Sequence, residues 1–156
     1  MKIAVFVSGG GHLDEALSAL ESIEGHEWLL FTYNLKNLRE FKHPLFEKVY
    51  FLSFFSSRSL MLYASLAAGF FQCLWIFLHE RPQVLISTGS EIAILPFYLG
   101  KFLFGTRNIF LETVTRFQVP SATARVIYPA SDFFLVQWKD LLKHFGPKAK
   151  YAGRIL

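Results

Sequence analysis

Short apolar runs alternate with helix-like stretches along this chain, and that alternation constrains the fold more than any other feature. Lys2–Val7, Trp28–Thr32, Lys48–Leu52, Val84–Ser87, Asn108–Glu112 and Phe133–Gln137 read as six strands. Between the first two, Leu13, Ala16, Leu17, Leu20 and Ile23 repeat with the spacing of an amphipathic helix over Leu13–Ile23. Arg58–His79 and Glu91–Phe104 also read as helices, the first stopped by Arg81-Pro82 and the second by Gly105. Asn34–Phe46 reads as a loop or short helix, Ser121–Tyr128 as a short helix and Trp138–His144 as a closing helix. Such alternation predicts the α/β class: a Rossmann-like parallel sheet with helices on both faces. The strands are continuous apolar runs, as expected when both faces are covered. With 156 residues and no linker, repeat or low-complexity tract, residues 1–156 are expected to form one domain.

In sheets of this kind the ligand crevice lies beyond the carboxyl ends of the strands. After the first strand come Ser8, Gly9, Gly10, Gly11 and His12, with Asp14 and Glu15 opening the helix. Glycines let a ligand approach the main chain, and a helix N-terminus offers free N–H groups to a phosphate or developing oxyanion. The dinucleotide fingerprint is incomplete, because Asp14 stands at its third glycine, and the Gly-Lys-Ser/Thr ending of a P-loop is missing. His12 titrates near neutral pH and suits a general base, the alternative being a capping or hydrogen-bonding role.

The fourth strand ends in Ser87, Thr88, Gly89, Ser90 and Glu91. These residues read either as a helix cap, with Ser90 as N-cap and Glu91 in the first turn, or as a second cradle for an anionic or sugar ligand. The fifth strand ends in Glu112, with Arg116 four residues on. Glu112 suits a sugar hydroxyl or a base, and Arg116 suits a diphosphate, unless the two form an ion pair that orders the loop. No metal site is read and no cofactor is expected.

Composition sharpens the partner question. Hydrophobic residues make up 53% of the chain and charged residues 18%, with 18 Phe, and mean hydropathy is +0.34. That excludes disorder, and a single cysteine, Cys73, excludes a disulfide scaffold. The densest apolar block is Leu60–Leu78, 19 residues without a charge, diluted by Ser65, Gly69 and Gln72. As a helix it would measure roughly 28 Å, close to the ~30 Å of a bilayer core. A spanning segment there would separate the first three strands from the last three and prevent a common sheet. The preferred reading is therefore a crossover helix with one face on the sheet. Its other face, including Leu60, Leu66, Phe70, Phe71, Trp75 and Phe77, would meet a membrane or a partner, with Arg58, His79 and Arg81 at headgroup level. Full burial is the competing reading. A net charge of +4 favours phosphates or an anionic membrane, and without a recognised motif no nucleic acid is expected. The first apolar run is too short for a secretory h-region. Together with the free cysteine this predicts the cytosol or its membrane face.

These segments, in order, resemble a known family. The glycine loop with His12, the Arg81–Gly89 stretch, Glu112 to Arg116 and Pro120-Ser121 carry the likeness. So do Tyr128-Pro129-Ala130-Ser131-Asp132, Val136-Gln137-Trp138 and Tyr151-Ala152-Gly153. They resemble the PssD-type bacterial polysaccharide biosynthesis subunits, relatives of the membrane-anchoring subunit of the eukaryotic transferase that adds the second GlcNAc to dolichol diphosphate-GlcNAc. The resemblance implies the N-terminal, acceptor-holding half of a GT-B glycosyltransferase, split from a donor-binding partner chain as a heterodimer. The pair would move a sugar from a UDP-sugar, bound mainly by the partner, to a polyprenyl-diphosphate-linked sugar in capsule or exopolysaccharide biosynthesis. This chain would recruit its partner to the cytoplasmic face of the cell membrane.

The peptidoglycan lipid II synthase fuses equivalent halves, and the His ending its glycine loop maps by motif to His12. Its acceptor-side Glu loop corresponds to Glu112. On the same resemblance Gly9–Gly11 and Ser87–Ser90 would line the crevice toward diphosphate, and Glu112 and Arg116 would contact the acceptor. The eukaryotic subunit typically carries an N-terminal membrane anchor without a counterpart in this sequence, so Leu60–Leu78 is expected to supply attachment. Two alternatives stay open: a purely non-catalytic adaptor of its partner, and a free-standing nucleotide-sugar-binding protein.

Overall fold

A computed structural model describes residues 1–36, 38–52 and 59–155, of which 59–66 are described as helical backbone alone. The six apolar runs and one further segment form β1 (Lys2–Phe6), β2 (Glu27–Tyr33), β3 (Lys48–Leu52), β4 (Val84–Thr88), β5 (Arg107–Leu111), β6 (Phe133–Val136) and β7 (Ala149–Tyr151). They make one parallel sheet in the order β3-β2-β1-β4-β5-β6-β7. The direction of winding reverses between β1 and β4, which pair with Ile3 beside Val84 and Val5 beside Ile86. Their carboxyl ends therefore share the switch point at which open α/β sheets take ligands.

Four α-helices are described: α1 (Gly11–Leu20), α2 (Ser59–Glu80), α3 (Ile94–Leu99) and α4 (Ala122–Ile127). Because strand side chains alternate, the core divides into two layers. On one side Ala4, Phe6, Phe31, Leu85, Phe110 and Phe134 meet Cys73, Ile76 and Phe77 of α2, Phe97 of α3 and Ile127 of α4. On the other, Ile3, Val5, Leu30 and Val84 meet Leu13, Ala16 and Leu20 of α1, with Leu38 and Phe46 from the β2–β3 connection. Helices thus lie on both faces, as expected, but the cover is uneven. On the α1 side of β5 and β6, Ile109 and Leu135 are only half-buried and Phe133 is exposed. β6 thus alternates despite its continuous apolar sequence.

Other departures are local. β7 was not expected, having three residues of which two are exposed. The expected Glu91–Phe104 helix is instead a 3-10 turn (Glu91–Ala93), α3 and a π turn (Gly100–Phe104). Gly100 has no room for a side chain, since an added Cβ would lie 2.4 Å from Thr106 Oγ1 and 2.6 Å from Leu85 Cδ1. Gly105 ends the segment in the left-handed region, as expected. The closing helix is a 3-10 segment, Lys139–His144.

Helix α2 is apolar all round, so its sequence does not say which side faces the sheet. The structure buries Cys73, Ile76 and Phe77 and exposes Phe71, Trp75 and Leu78, a stripe at i, i+4, i+7, with Phe70 half-buried. Phe77 corrects the expected outward set: it is 1% exposed, with its ring 6.4 Å from that of Phe6 and 5.1 Å from that of Phe104. The side chains of Leu60 and Leu66 lie outside the described residues. Gln72 Nε2 donates to Phe51 O at 2.8 Å, so α2 passes the end of β3 there. β3 and β4, which flank α2 in sequence, belong to one sheet, so both ends of α2 serve the same domain. Among the described residues no helix is long and apolar enough to cross a membrane.

The opposite end of α2 is clamped. Glu80 accepts from Lys2 Nζ and Lys48 Nζ, each at 2.8 Å, and from the Tyr50 hydroxyl. Burial alone would raise the Glu80 pKa, but the two ammonium groups and the hydroxyl outweigh it and hold it near about 2. A depressed folded-state pKa gives stability that is present above the ordinary value of 4.5 and is lost as pH falls toward about 2.

Two predictions follow from this packing. Phe77→Ala is expected to lower unfolding free energy by about 3–5 kcal/mol, and Phe71→Ala to change it by no more than about 0.5 kcal/mol; urea denaturation of both variants checks the assignment of faces. Glu80→Gln should cost roughly 1–3 kcal/mol at neutral pH. Its deficit against the unmodified chain should shrink as the pH is lowered through the carboxylate range, and a deficit independent of pH would rule out the clamp.

Candidate functional site

The glycine loop closes β1 and opens α1 at the switch point. Gly10 takes φ +76°, a left-handed conformation natural to glycine, and its carbonyl accepts from Leu13 N at 2.8 Å and Asp14 N at 3.2 Å. Open space surrounds the Cα positions of Gly10 and Gly11, whereas a Cβ on Gly9 would meet Leu38 at 2.9 Å. Gly10 and Gly11 thus leave a stretch of main chain accessible beside the first turn of α1, where unpaired N–H groups lie.

The loop after β4 plays a different part from the one expected. Ser87, Thr88, Gly89 and Ser90 are all buried and do not line an open crevice. Thr88 Oγ1 donates to His12 O at 2.6 Å, and Ser90 Oγ accepts from Ser8 N at 2.9 Å. Their hydroxyls are committed to holding the glycine loop. Ser90 stands at the N-cap position of the following turn without capping it through its side chain. Glu91 is exposed and accepts from the Tyr33 hydroxyl at 3.1 Å. Gly89, at φ +83°, leaves room for the His12 ring: a Cβ there would lie 3.1 Å from His12 Cε1 and 3.0 Å from Thr113 Cβ.

Glu112 lies inside the fold, at the end of β5. Its side chain is 0% exposed. Oε1 accepts from Thr113 N at 3.1 Å, and Oε2 accepts from Ser121 N and Ser121 Oγ, both at 3.1 Å. Burial raises its pKa despite those donors. Glu112 therefore braces the 113–121 loop from within. Arg116 is exposed on that loop, its own N–H bonded to Thr113 O, and no ion pair joins it to Glu112 among the described residues. The neighbouring Phe117 and Val119 are exposed apolar residues.

What the structure brings together is His12, Glu15 and the start of this loop. Gly11, His12, Glu15, Thr113, Val114 and Thr115 line a cleft of about 270 Å³. A second hollow of about 200 Å³ adjoins it at Thr115 and continues over Arg116 to Val119. Both fall below the usual size of a complete small-molecule site, roughly 300–1,000 Å³. The His12 side chain is 29% exposed, with Nδ1 3.9 Å from Glu15 Oε2. Facing the Glu15 carboxylate raises the His12 pKa above 6.5, against the opposing effect of burial.

Glu15 is the site residue that the sequence reading missed. It is 2% exposed, and its one visible signal was its i+3 spacing from His12, which puts both on one helix face. Gln137, which the sequence marks only through the family resemblance, also belongs here. It is buried at the end of β6, and Nε2 donates to Glu112 O at 3.1 Å and to Glu15 Oε1 at 3.5 Å. Trp138 follows, its indole N–H bonded to Val114 O at 2.7 Å and its ring under Arg154. These contacts fix the floor of the cleft. Among the described residues no cluster of His, Cys, Asp and Glu is grouped to hold a metal.

The comparisons agree with this architecture. The Saccharomyces cerevisiae UDP-N-acetylglucosamine transferase subunit ALG14 is 26% identical over 180 residues, covering 98% of this chain and 76% of that protein. The Homo sapiens protein of the same name is 27% identical over 82 residues, covering 49% of this chain and 37% of that protein. Among solved structures, Acinetobacter baumannii MurG superposes with a TM-score of 0.77 at 12% identity, covering 96% of this chain and 44% of that one. The UDP-GlcNAc 2-epimerase of Methanocaldococcus jannaschii gives 0.65 at 12% identity, covering 99% and 46%. The chain thus has the Rossmann-like fold of one half of a GT-B structure and spans less than half of either solved chain. The profile of the family described as "Oligosaccharide biosynthesis protein Alg14 like" matches residues 3–155, so the chain belongs to the Alg14-like family.

Proposed function

We propose that this chain is the acceptor-side subunit of a two-chain glycosyltransferase that passes a sugar, GlcNAc by analogy with its relatives' names, from a UDP-sugar to a polyprenyl-diphosphate-linked sugar. The observation that carries this reading is the incomplete cleft. A histidine, an accessible glycine loop and a helix N-terminus converge on a hollow of about 270 Å³, in a domain equivalent to 44% of the MurG chain. A second chain facing this edge would close the hollow and bring the UDP-sugar.

His12 takes the proton of the acceptor hydroxyl as that oxygen bonds to the anomeric carbon and the UDP leaving group departs with the electron pair of the broken bond. Gly10, Gly11 and the first turn of α1 face the acceptor diphosphate or the developing charge, and Arg116 lies within the same stretch of surface. The exposed stripe Phe71, Trp75 and Leu78 of α2 would sit on the cytoplasmic face of a membrane, close to where a polyprenyl-linked acceptor emerges. A capsule or exopolysaccharide pathway would suit such an acceptor.

Two measurements test the reading. In the complex with its donor-binding partner, His12→Ala is expected to lower kcat by about 10²–10⁴ with complex formation intact. Because the His12 pKa is raised and the base must be neutral, kcat should increase with pH through a limb above 6.5. Unchanged turnover in His12→Ala would leave the chain an adaptor without chemistry, and full activity of the isolated chain would end the two-chain reading. On anionic lipid vesicles, Phe71→Ser with Trp75→Ser should reduce co-flotation about tenfold or more, given the apolar area removed; equal flotation of the double variant would mean that α2 is not the membrane face.

A further inference from the structure

Glu15 is a buried carboxylate whose two oxygens are treated differently. Oε1 accepts from Val114 N at 2.7 Å and Thr113 Oγ1 at 3.0 Å, with Gln137 Nε2 at 3.5 Å. Oε2 has no hydrogen-bond partner and faces His12 Nδ1, itself buried and without one, at 3.9 Å. The two unmatched buried atoms are thus neighbours 3.9 Å apart, just beyond hydrogen-bond distance. Gly89 makes room for the ring beside Cε1, where a Cβ would lie 3.1 Å away. With Nδ1 enclosed, Nε2 is the nitrogen left to the cleft.

We infer that Glu15 is the positioning residue for His12: its Oε2 draws the Nδ1 proton, fixes the tautomer whose Nε2 lone pair faces the acceptor, and stabilises the imidazolium formed there. This rests on the proposed role of His12 as base. The acceptor proton ends on Nε2; the Nδ1 proton stays on the ring, and Glu15 remains ionised. A base oriented by a third group through its far nitrogen is a recurrent arrangement for activating hydroxyls.

The surrounding charges support the pairing. The groups acting on His12 are Glu15 on α1, the Thr88 main chain after β4 and Glu91 in the next turn, all favouring the protonated ring. Burial would raise the Glu15 pKa, but His12, Val114 N–H and the Thr113 hydroxyl outweigh it and keep the carboxyl below its usual range. Glu15 is thus ionised wherever His12 titrates.

The other role open to Glu15 is purely structural, through Oε1 and the 113–114 loop, and the test separates the two. Glu15→Gln keeps an acceptor oxygen for Val114 N–H but removes the charge, whereas Thr113→Val removes a loop bond and keeps it. Long-range 1H–15N spectra of the full chain, with His12 assigned through His12→Asn, read tautomer and titration directly. The neutral ring is expected to carry its proton on Nδ1. Its pKa should fall by ~0.5 or more in Glu15→Gln and stay unchanged in Thr113→Val. If Glu15→Gln does not fold, Glu15→Asp, which withdraws Oε2, carries the same test. In the two-chain enzyme, Glu15→Gln should lower kcat about 10–100-fold, leave KM within about twofold and move the acid limb to lower pH, with Glu15→Asp recovering part of the rate. A proton on Nε2, or the same His12 titration with and without the Glu15 charge, overturns the inference whatever the activity. A shifted titration in a complex that transfers no sugar leaves the pairing standing and ends the transferase reading instead.

Discussion

Two hydroxyl contacts across the switch point hold the site together. Thr88 reaches His12 O, and Ser90 receives Ser8 N–H, between residues 76 and 82 positions apart in sequence. Neither group touches the open cleft. They tie the glycine loop directly to the end of β4, as the bonds from Glu15 to Thr113 and Val114 tie α1 to the loop after β5. The parallel pairing of β1 with β4 makes these contacts possible, since it brings the two carboxyl ends level. Register therefore comes first, hydroxyls second and chemistry third.

Three buried carboxylates show how differently one group is used in one small domain. Glu80, at the amino edge of the sheet, is surrounded by ammonium groups and serves as a clamp. Glu112 meets only neutral donors and braces a loop. Glu15 has one oxygen satisfied by neutral donors and the other turned to an imidazole. Desolvation disfavours the charge on each, and only the last is matched to a partner that titrates in the physiological range.

Much of this was legible in the sequence. Six strands and the crevice loops could be read because apolar runs and glycines report directly on backbone needs. Glu15 and Glu112 could not be sorted, since both follow a strand or open a helix and only the fold decides which oxygen meets water. Phe77 was unreadable for another reason. In a helix apolar on every side, periodicity has nothing to contrast against, and the buried face is set by where Phe6 and Phe104 stand. The serines and threonine after β4 looked like ligand contacts because small polar residues suit both a cradle and a brace. β7 is too short, and too exposed, to register as a pattern.

The left-handed turn at Gly89 carries a lesson for reading related sequences. Two independent conditions hold that position: a backbone angle that side chains avoid, and the presence of the His12 ring where a Cβ would project. If a descendant lost His12, the second condition would lapse and the first would remain. Glycine there would outlive the chemistry. Its presence in a diverged sequence marks the turn, whereas the histidine opposite answers only to the ring that the turn accommodates.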